Sequence, residues 1–200
     1  MAQKMTNNNK PYVMALFSGA AYKNPEDAKK TFDDYQFVNQ KFIDMGGAQC
    51  YVVWNDDDVV IIFRGTEPNQ WSDVKADLKT FKSTSMYKDG FVHGGFKDEV
   101  DKVWDEIDTT ISVMEDRQIH VTGHSLGGAM ATICAKRLSE EYENVHCLYT
   151  YGSPRVGNPK WCRSHKVSHY RFQNNNDMVC KVPFWIMGYR HHGTNVYIEL

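Results

Sequence analysis

The stretch with the clearest chemical content is Gly123-His124-Ser125-Leu126-Gly127, a G-x-S-x-G pattern. Ile119 and Val121 alternate with polar residues ahead of it, as in a half-buried strand, and a run of small and apolar residues follows it, as in a buried helix. Strand, G-x-S-x-G and helix together predict a nucleophile elbow. In such an elbow Ser125 sits on a strained turn with its hydroxyl raised above the sheet, and side chains at 123 and 127 would collide with neighbouring backbone. The following helix aims its positive N-terminal end at the point where negative charge develops.

A serine hydroxyl is a weak nucleophile and needs a base with an orienting acid behind it. In this architecture the acid and then the histidine follow the serine in the chain, on loops at the carboxyl ends of later strands. Asp177 ends the polar loop after an expected strand near Tyr170–Phe172 and is the candidate acid. Only His191 and His192 lie beyond it. Neighbouring residues of an extended chain point opposite ways, so one of the pair can face Ser125, and the residues alone leave open which. The oxyanion hole takes one backbone N–H from Leu126 and a second from an early strand-to-loop junction. Thr66, directly after the apolar run Val59–Phe63, is favoured over His93-Gly94-Gly95, which opens a long helix; His93 reads as a structural histidine near the cleft. No third ligand accompanies the His191–His192 pair, and Asp56-Asp57-Asp58 reads as a solvated hairpin turn, so neither a metal nor an organic cofactor is expected.

These groups need a frame. Two hundred residues suffice for one domain, 1–200, with a substantial core. A net charge of -2 gives no reason to expect nucleic acid, and no apolar run is long enough for a transmembrane segment. Five scattered cysteines without C-x-x-C spacing fit free thiols in a reducing compartment, so a soluble cytoplasmic protein is expected, with secretion as the alternative. Tyr12–Tyr22 imitates a signal peptide but reads as the first helix, and Asn24-Pro25 as the cap and first residue of a second reaching about Gln36. Gln49–Trp54 and Val59–Phe63 read as strands around the Asn55–Asp58 turn, and Glu67–Gly90 as a polar insertion. Phe96, Val100, Val103, Trp104, Ile107, Ile111 and Met114 recur at helical spacing. Val145–Tyr151, Ser168–Phe172 and Thr194–Leu200 read as strands, the last at an edge. Strands separated by helices predict an α/β fold, a mostly parallel central sheet with helices on both faces.

Six motifs in order resemble one family, the class 3 lipases, which include filamentous-fungal lipases, feruloyl esterases and plant phospholipases of A1 type. They are Phe-Arg-Gly-Thr at 63–66, Val-His-Gly-Gly-Phe at 92–96, Val-Thr-Gly-His-Ser-Leu-Gly-Gly at 121–128, Tyr-Gly-Ser-Pro-Arg-Val-Gly-Asn at 151–158, Asn-Asp-Met-Val-Cys-Lys-Val-Pro at 176–183 and Gly-Tyr-Arg-His-His-Gly at 188–193. The resemblance implies an α/β-hydrolase fold with a short lid and a serine carboxylic ester hydrolase, foremost a lipase acting on acylglycerols. Phospholipase A1, feruloyl-type esterase and acyltransferase activities are its alternatives. It also implies Ser125 as nucleophile, Asp177 as acid, Thr66 in the oxyanion hole and, from a Tyr-x-His motif matched by Tyr189-Arg190-His191, His191 rather than His192 as base. It makes Glu67–Asp77 the lid. Trp71, Val74 and Leu78 form a narrow apolar stripe there among polar residues, so contact with a lipid interface should be transient and interfacial activation weak.

Overall fold

The computed structural model describes residues 3–66, 82–114, 116–174 and 176–198. Seven strands form one sheet: β1 (Asn39–Met45), β2 (Ala48–Trp54), β3 (Asp58–Phe63), β6 (Gln118–His124), β7 (Val145–Tyr151), β8 (Ser168–Asn174) and β9 (Thr194–Ile198), side by side in that order. β1, β2 and β3 are antiparallel, whereas β3 and all strands beyond it run parallel. The central parallel strands β3, β6 and β7 are mostly buried because helices cover both faces of the sheet there. Val60 and Ile62 face a cluster with Val13, Phe17 and Phe32 from α1 (Lys10–Ala20) and α2 (Pro25–Asp33). Val59, Ile61 and Phe63 face the opposite way, onto α3 (Gly94–Ile111) and α4 (Leu126–Glu141).

Local sequence accounts for most boundaries. The Asn24 side chain accepts from the Asp27 amide at 2.9 Å and Pro25 opens α2, as expected from the Asn-Pro pair. The Asn55 side chain accepts from the amides of Asp57 and Asp58 at 2.9 and 2.8 Å, which closes the β2–β3 hairpin and explains its run of aspartates. Two elements depart from expectation. β1 was not anticipated, because an edge strand burying only Ile43 shows little alternation. A two-stranded hairpin of β4 (Lys82–Thr84) and β5 (Phe91–His93) also lies in a stretch too polar to signal it. β5 places a short strand ahead of His93-Gly94-Gly95 where none was expected. The expected lid residues Trp71, Val74 and Leu78 lie outside the described residues.

Candidate active site

Ser125 occupies the turn between β6 and α4 with φ 58° and ψ -130°, a conformation that L residues avoid. Two hydrogen bonds hold it there: its N–H donates to the Tyr151 carbonyl and the Gly128 N–H donates to its own carbonyl, both at 2.9 Å. The turn is tight enough to exclude side chains on either side. A Cβ at Gly123 would lie 2.4 Å from the Gly127 carbonyl, and one at Gly127 would lie 2.3 Å from the Phe63 carbonyl. The Ser125 side chain is buried, and its Oγ has no hydrogen-bond partner among the described residues.

Thr66 and Leu126, the expected oxyanion residues, line one cavity of about 360 Å³ together with Arg64, Phe96 and Met130. His93 lines it too, but its ring packs 4.3 Å from that of Phe96 and its N–H donates to the Val156 carbonyl at 2.9 Å, as suits a wall residue. Asp177 reaches the same edge of the sheet from the loop after β8. Its carboxylate accepts from the Val179 N–H at 2.8 Å and from the Cys180 thiol at 3.5 Å. Gly152, at φ +57°, follows the carbonyl that holds Ser125, and a Cβ there would lie 2.8 Å from the Asp177 carboxylate. Serine and acid are therefore brought to adjoining strand ends.

The histidines stand elsewhere. His191 Nε2–H donates to the Cys180 carbonyl at 2.8 Å, so the ring reaches the Asp177 loop only through Cys180. Burial, then the Arg171 charge, lower its pKa to about 4. The path of the chain sets the place of the ring. The Arg190 N–H donates to the Gly157 carbonyl at 2.7 Å, which pins the segment beside α5 (Pro159–Ser164) as it turns back toward β9. His192 stacks on His165, with ring centres 4.0 Å apart, and its Nδ1 lies 3.3 Å from His169 Nδ1. Among the described residues no histidine is hydrogen-bonded to Ser125 or to Asp177.

His124 was overlooked in the sequence, where it appears only as the variable residue of G-x-S-x-G. Its Nδ1 meets the Tyr22 hydroxyl at 2.9 Å, and its Nε2 lies near the Gly152 position that also faces Asp177. Partial desolvation lowers its pKa, an effect that the Asp177 charge opposes. Nothing in a G-x-S-x-G pattern singles this position out.

Residues 60–187 match the family model described as Lipase (class 3). The chain belongs to the class 3 lipase family. Among its relatives, the lipase of Rhizomucor miehei is 32% identical over 153 residues, covering 70% of this chain and 41% of that protein. The solved triacylglyceride lipase of R. miehei superposes with a TM-score of 0.81 at 25% identity, covering 98% of this chain and 82% of that one. A triacylglycerol lipase structure described as having a serine protease triad at its catalytic centre gives a TM-score of 0.79 at 26% identity, with 98% and 82% covered. The expected α/β-hydrolase fold is thus the fold found. This class 3 lipase chain spans less than half the length of the first curated relatives that it matches. No helix among its described residues is long and apolar enough to cross a membrane.

Proposed function

We propose that the protein is a serine carboxylic ester hydrolase, foremost an acylglycerol lipase, with Ser125 as nucleophile. The observation that carries this reading is the strained φ of Ser125 between two glycines that admit no side chain. Backbone strain of this kind persists only where the surroundings enforce it, and Ser125 directly precedes Leu126, which lines the cleft. In the proposed reaction Ser125 Oγ attacks the ester carbonyl carbon while a base takes its proton, and the N–H groups of Thr66 and Leu126 hold the oxyanion. The proton passes to the leaving alcohol, and water then repeats the sequence on the acyl-enzyme. Asp177 is the acid that orients the base. No step calls for a metal or an organic cofactor. The cysteines at 50, 134, 147, 162 and 180 are all unpaired, which favours a reducing, cytoplasmic setting.

The base has two readings. In the first, His191 releases the Cys180 carbonyl, turns its Nε2 toward Ser125 and leaves the buried setting that holds its pKa at about 4, since a base works best with a pKa near the operating pH. In the second, which the bond to Cys180 favours, His191 clamps the loop that carries Asp177, and a group other than His191 takes the Ser125 proton. Replacement separates them. On the observed contacts, His191→Ala lowers the melting temperature and reduces kcat by less than about tenfold, the scale of a displaced loop. A loss of several orders of magnitude at unchanged melting would establish proton transfer by His191. His192→Ala, measured alongside, should lower melting through its lost stack on His165 and leave kcat within about tenfold.

The substrate class is tested by a panel of tributyrin, a longer-chain triglyceride emulsion, a phosphatidylcholine and methyl ferulate. The apolar wall made by Phe96, Leu126 and Met130 supports the acylglycerols. Their kcat/KM should exceed those of the other two by about tenfold or more, the worth of roughly one well-buried apolar group. Preference for the phosphatidylcholine or for methyl ferulate would redirect the assignment to a phospholipase or a feruloyl esterase.

A further inference from the structure

The loop that runs from Asp177 to His191 presents an apolar tip to solvent. Phe184, Trp185 and Ile186 are 54%, 63% and 79% exposed, and Met178, beside the acid in sequence, is 52% exposed. Scattered single apolar residues are ordinary on a surface, but three consecutive large ones on one projecting turn are not. The turn is well held. The N–H groups of Met187 and Gly188 donate to the carbonyls of Phe184 and Trp185 at 2.9 Å each. Arg155 donates to the Pro183 carbonyl at 3.0 Å, and Arg190 donates to the Trp185 carbonyl at 2.8 Å. Four hydrogen bonds to backbone carbonyls thus hold the tip.

Positive charge surrounds it. The Arg190 guanidinium carbon lies 5.8 Å from the centre of the Trp185 ring, and Lys82 Nζ lies 5.9 Å from that of Tyr189. Lys181 is exposed three residues before Phe184. Burial, then the nearby Arg190 charge, lower the Arg155 pKa below its usual range. None of Lys82, Arg155, Lys181 and Arg190 forms an ion pair with a carboxylate among the described residues. A protein partner would be expected to find carboxylates interleaved with these cations. Apolar side chains projecting through unpaired cations fit a lipid surface with anionic head groups, where tryptophan settles at the boundary and lysine and arginine meet phosphates.

We propose that Phe184, Trp185 and Ile186 form an anchor that docks the protein onto an anionic lipid surface, apart from any contribution of residues 67–81. Because the tip belongs to the loop that carries Asp177, docking there would present the carboxyl edge of the sheet, with Ser125 and its cleft, toward the lipid. The inference deepens the proposed hydrolysis of lipid esters and rests on it for its purpose, yet binding can be read without turnover. The test uses full-length Ser125→Ala protein, which leaves the lipid intact, with vesicles of phosphatidylcholine alone or with about a third of phosphatidylserine. Sedimentation should show binding to the anionic vesicles at least about tenfold tighter than to the neutral ones, weakening as salt rises. Trp185→Ser with Ile186→Ser should weaken that binding by more than about tenfold. Lys181→Glu, a surface change with no folding role, should weaken it by about tenfold. In a Ser125 background, the tip variant should hydrolyse a soluble short-chain ester within about twofold of wild type, since it leaves the cleft untouched. Equal binding to both vesicle types, wild-type binding by the tip variant, or no binding to either composition would overturn the proposal. A protein that binds as expected but hydrolyses no ester would leave the anchor standing and remove the proposed activity.

Discussion

Ser125→Ala is expected to abolish ester turnover while leaving the fold at least as stable as the wild type. The nucleophile is irreplaceable in the proposed reaction, so kcat should fall by roughly 10⁴-fold or more, to the residue that binding and the oxyanion hole supply. Stability should move the other way. Ser125 holds φ 58° and buries an Oγ with no partner among the described residues, and a non-glycine residue in such a conformation costs about 1–3 kcal/mol. Alanine keeps the backbone strain but removes the unsatisfied hydroxyl, so the melting temperature should hold or rise slightly. Ser125→Gly should be equally inactive and melt higher still, because glycine adopts φ near 58° freely. Steady-state rates on a short-chain ester and calorimetry on the three proteins check both halves. A clear fall in melting for Ser125→Ala would show that the hydroxyl has a structural role instead.

The second large effect falls on the backbone of the elbow. Gly127→Ala would place a Cβ 2.3 Å from the Phe63 carbonyl and 2.9 Å from the Gly65 nitrogen. Both are backbone atoms of the β3 end and cannot swing aside as a flexible side chain would. α4 would have to move off the sheet, opening the core between Phe63 and Ala129–Ile133 as well as displacing Ser125. A loss of more than about 3 kcal/mol is expected, which for a chain of this size lowers the melting temperature by roughly 6 °C or more. Gly19→Ala is the contrasting change. Its Cβ would meet nothing within 4 Å inside α1, so it should stabilise the protein by about 0.5–1 kcal/mol through helix propensity alone. Thermal denaturation of the two variants measures the difference. Comparable melting for both would contradict the tight elbow described here.

What could be read from the sequence was set by how local its causes are. The elbow was legible because its demands fall within five residues: a strand, two glycines that cannot carry a side chain and a following helix. The place of Asp177, though not its role, was legible because a polar loop directly after a strand has few places to go, and the carboxyl end of β8 adjoins that of β7. β7 matches its expected span at both ends, since four consecutive buried residues, Cys147–Thr150, lie between β-favouring Val145 and Tyr151. β1 was not legible, because the polar side chains of Asn39, Gln40 and Lys41 mask a strand that exists only by pairing with β2. The position of His191 was the hardest to foresee. It depends on the Arg190–Gly157 contact and on the Cys180 carbonyl, bonds to residues 33 and 11 positions away that no local pattern reveals. The tip at Phe184–Ile186 was likewise invisible, since three apolar residues in a row read as core until a fold shows them facing water.

Every step of the proposed reaction starts from Ser125 as an activated nucleophile, next in the chain to Leu126 of the cleft. The most direct measurement is intact-mass analysis after incubation with a fluorophosphonate, followed by peptide mapping of the adduct. One adduct per chain is expected, on the peptide containing Ser125, and none in Ser125→Ala. A wild type that stays unlabelled while its esterase activity persists, or a label that survives in Ser125→Ala, would contradict that role of Ser125.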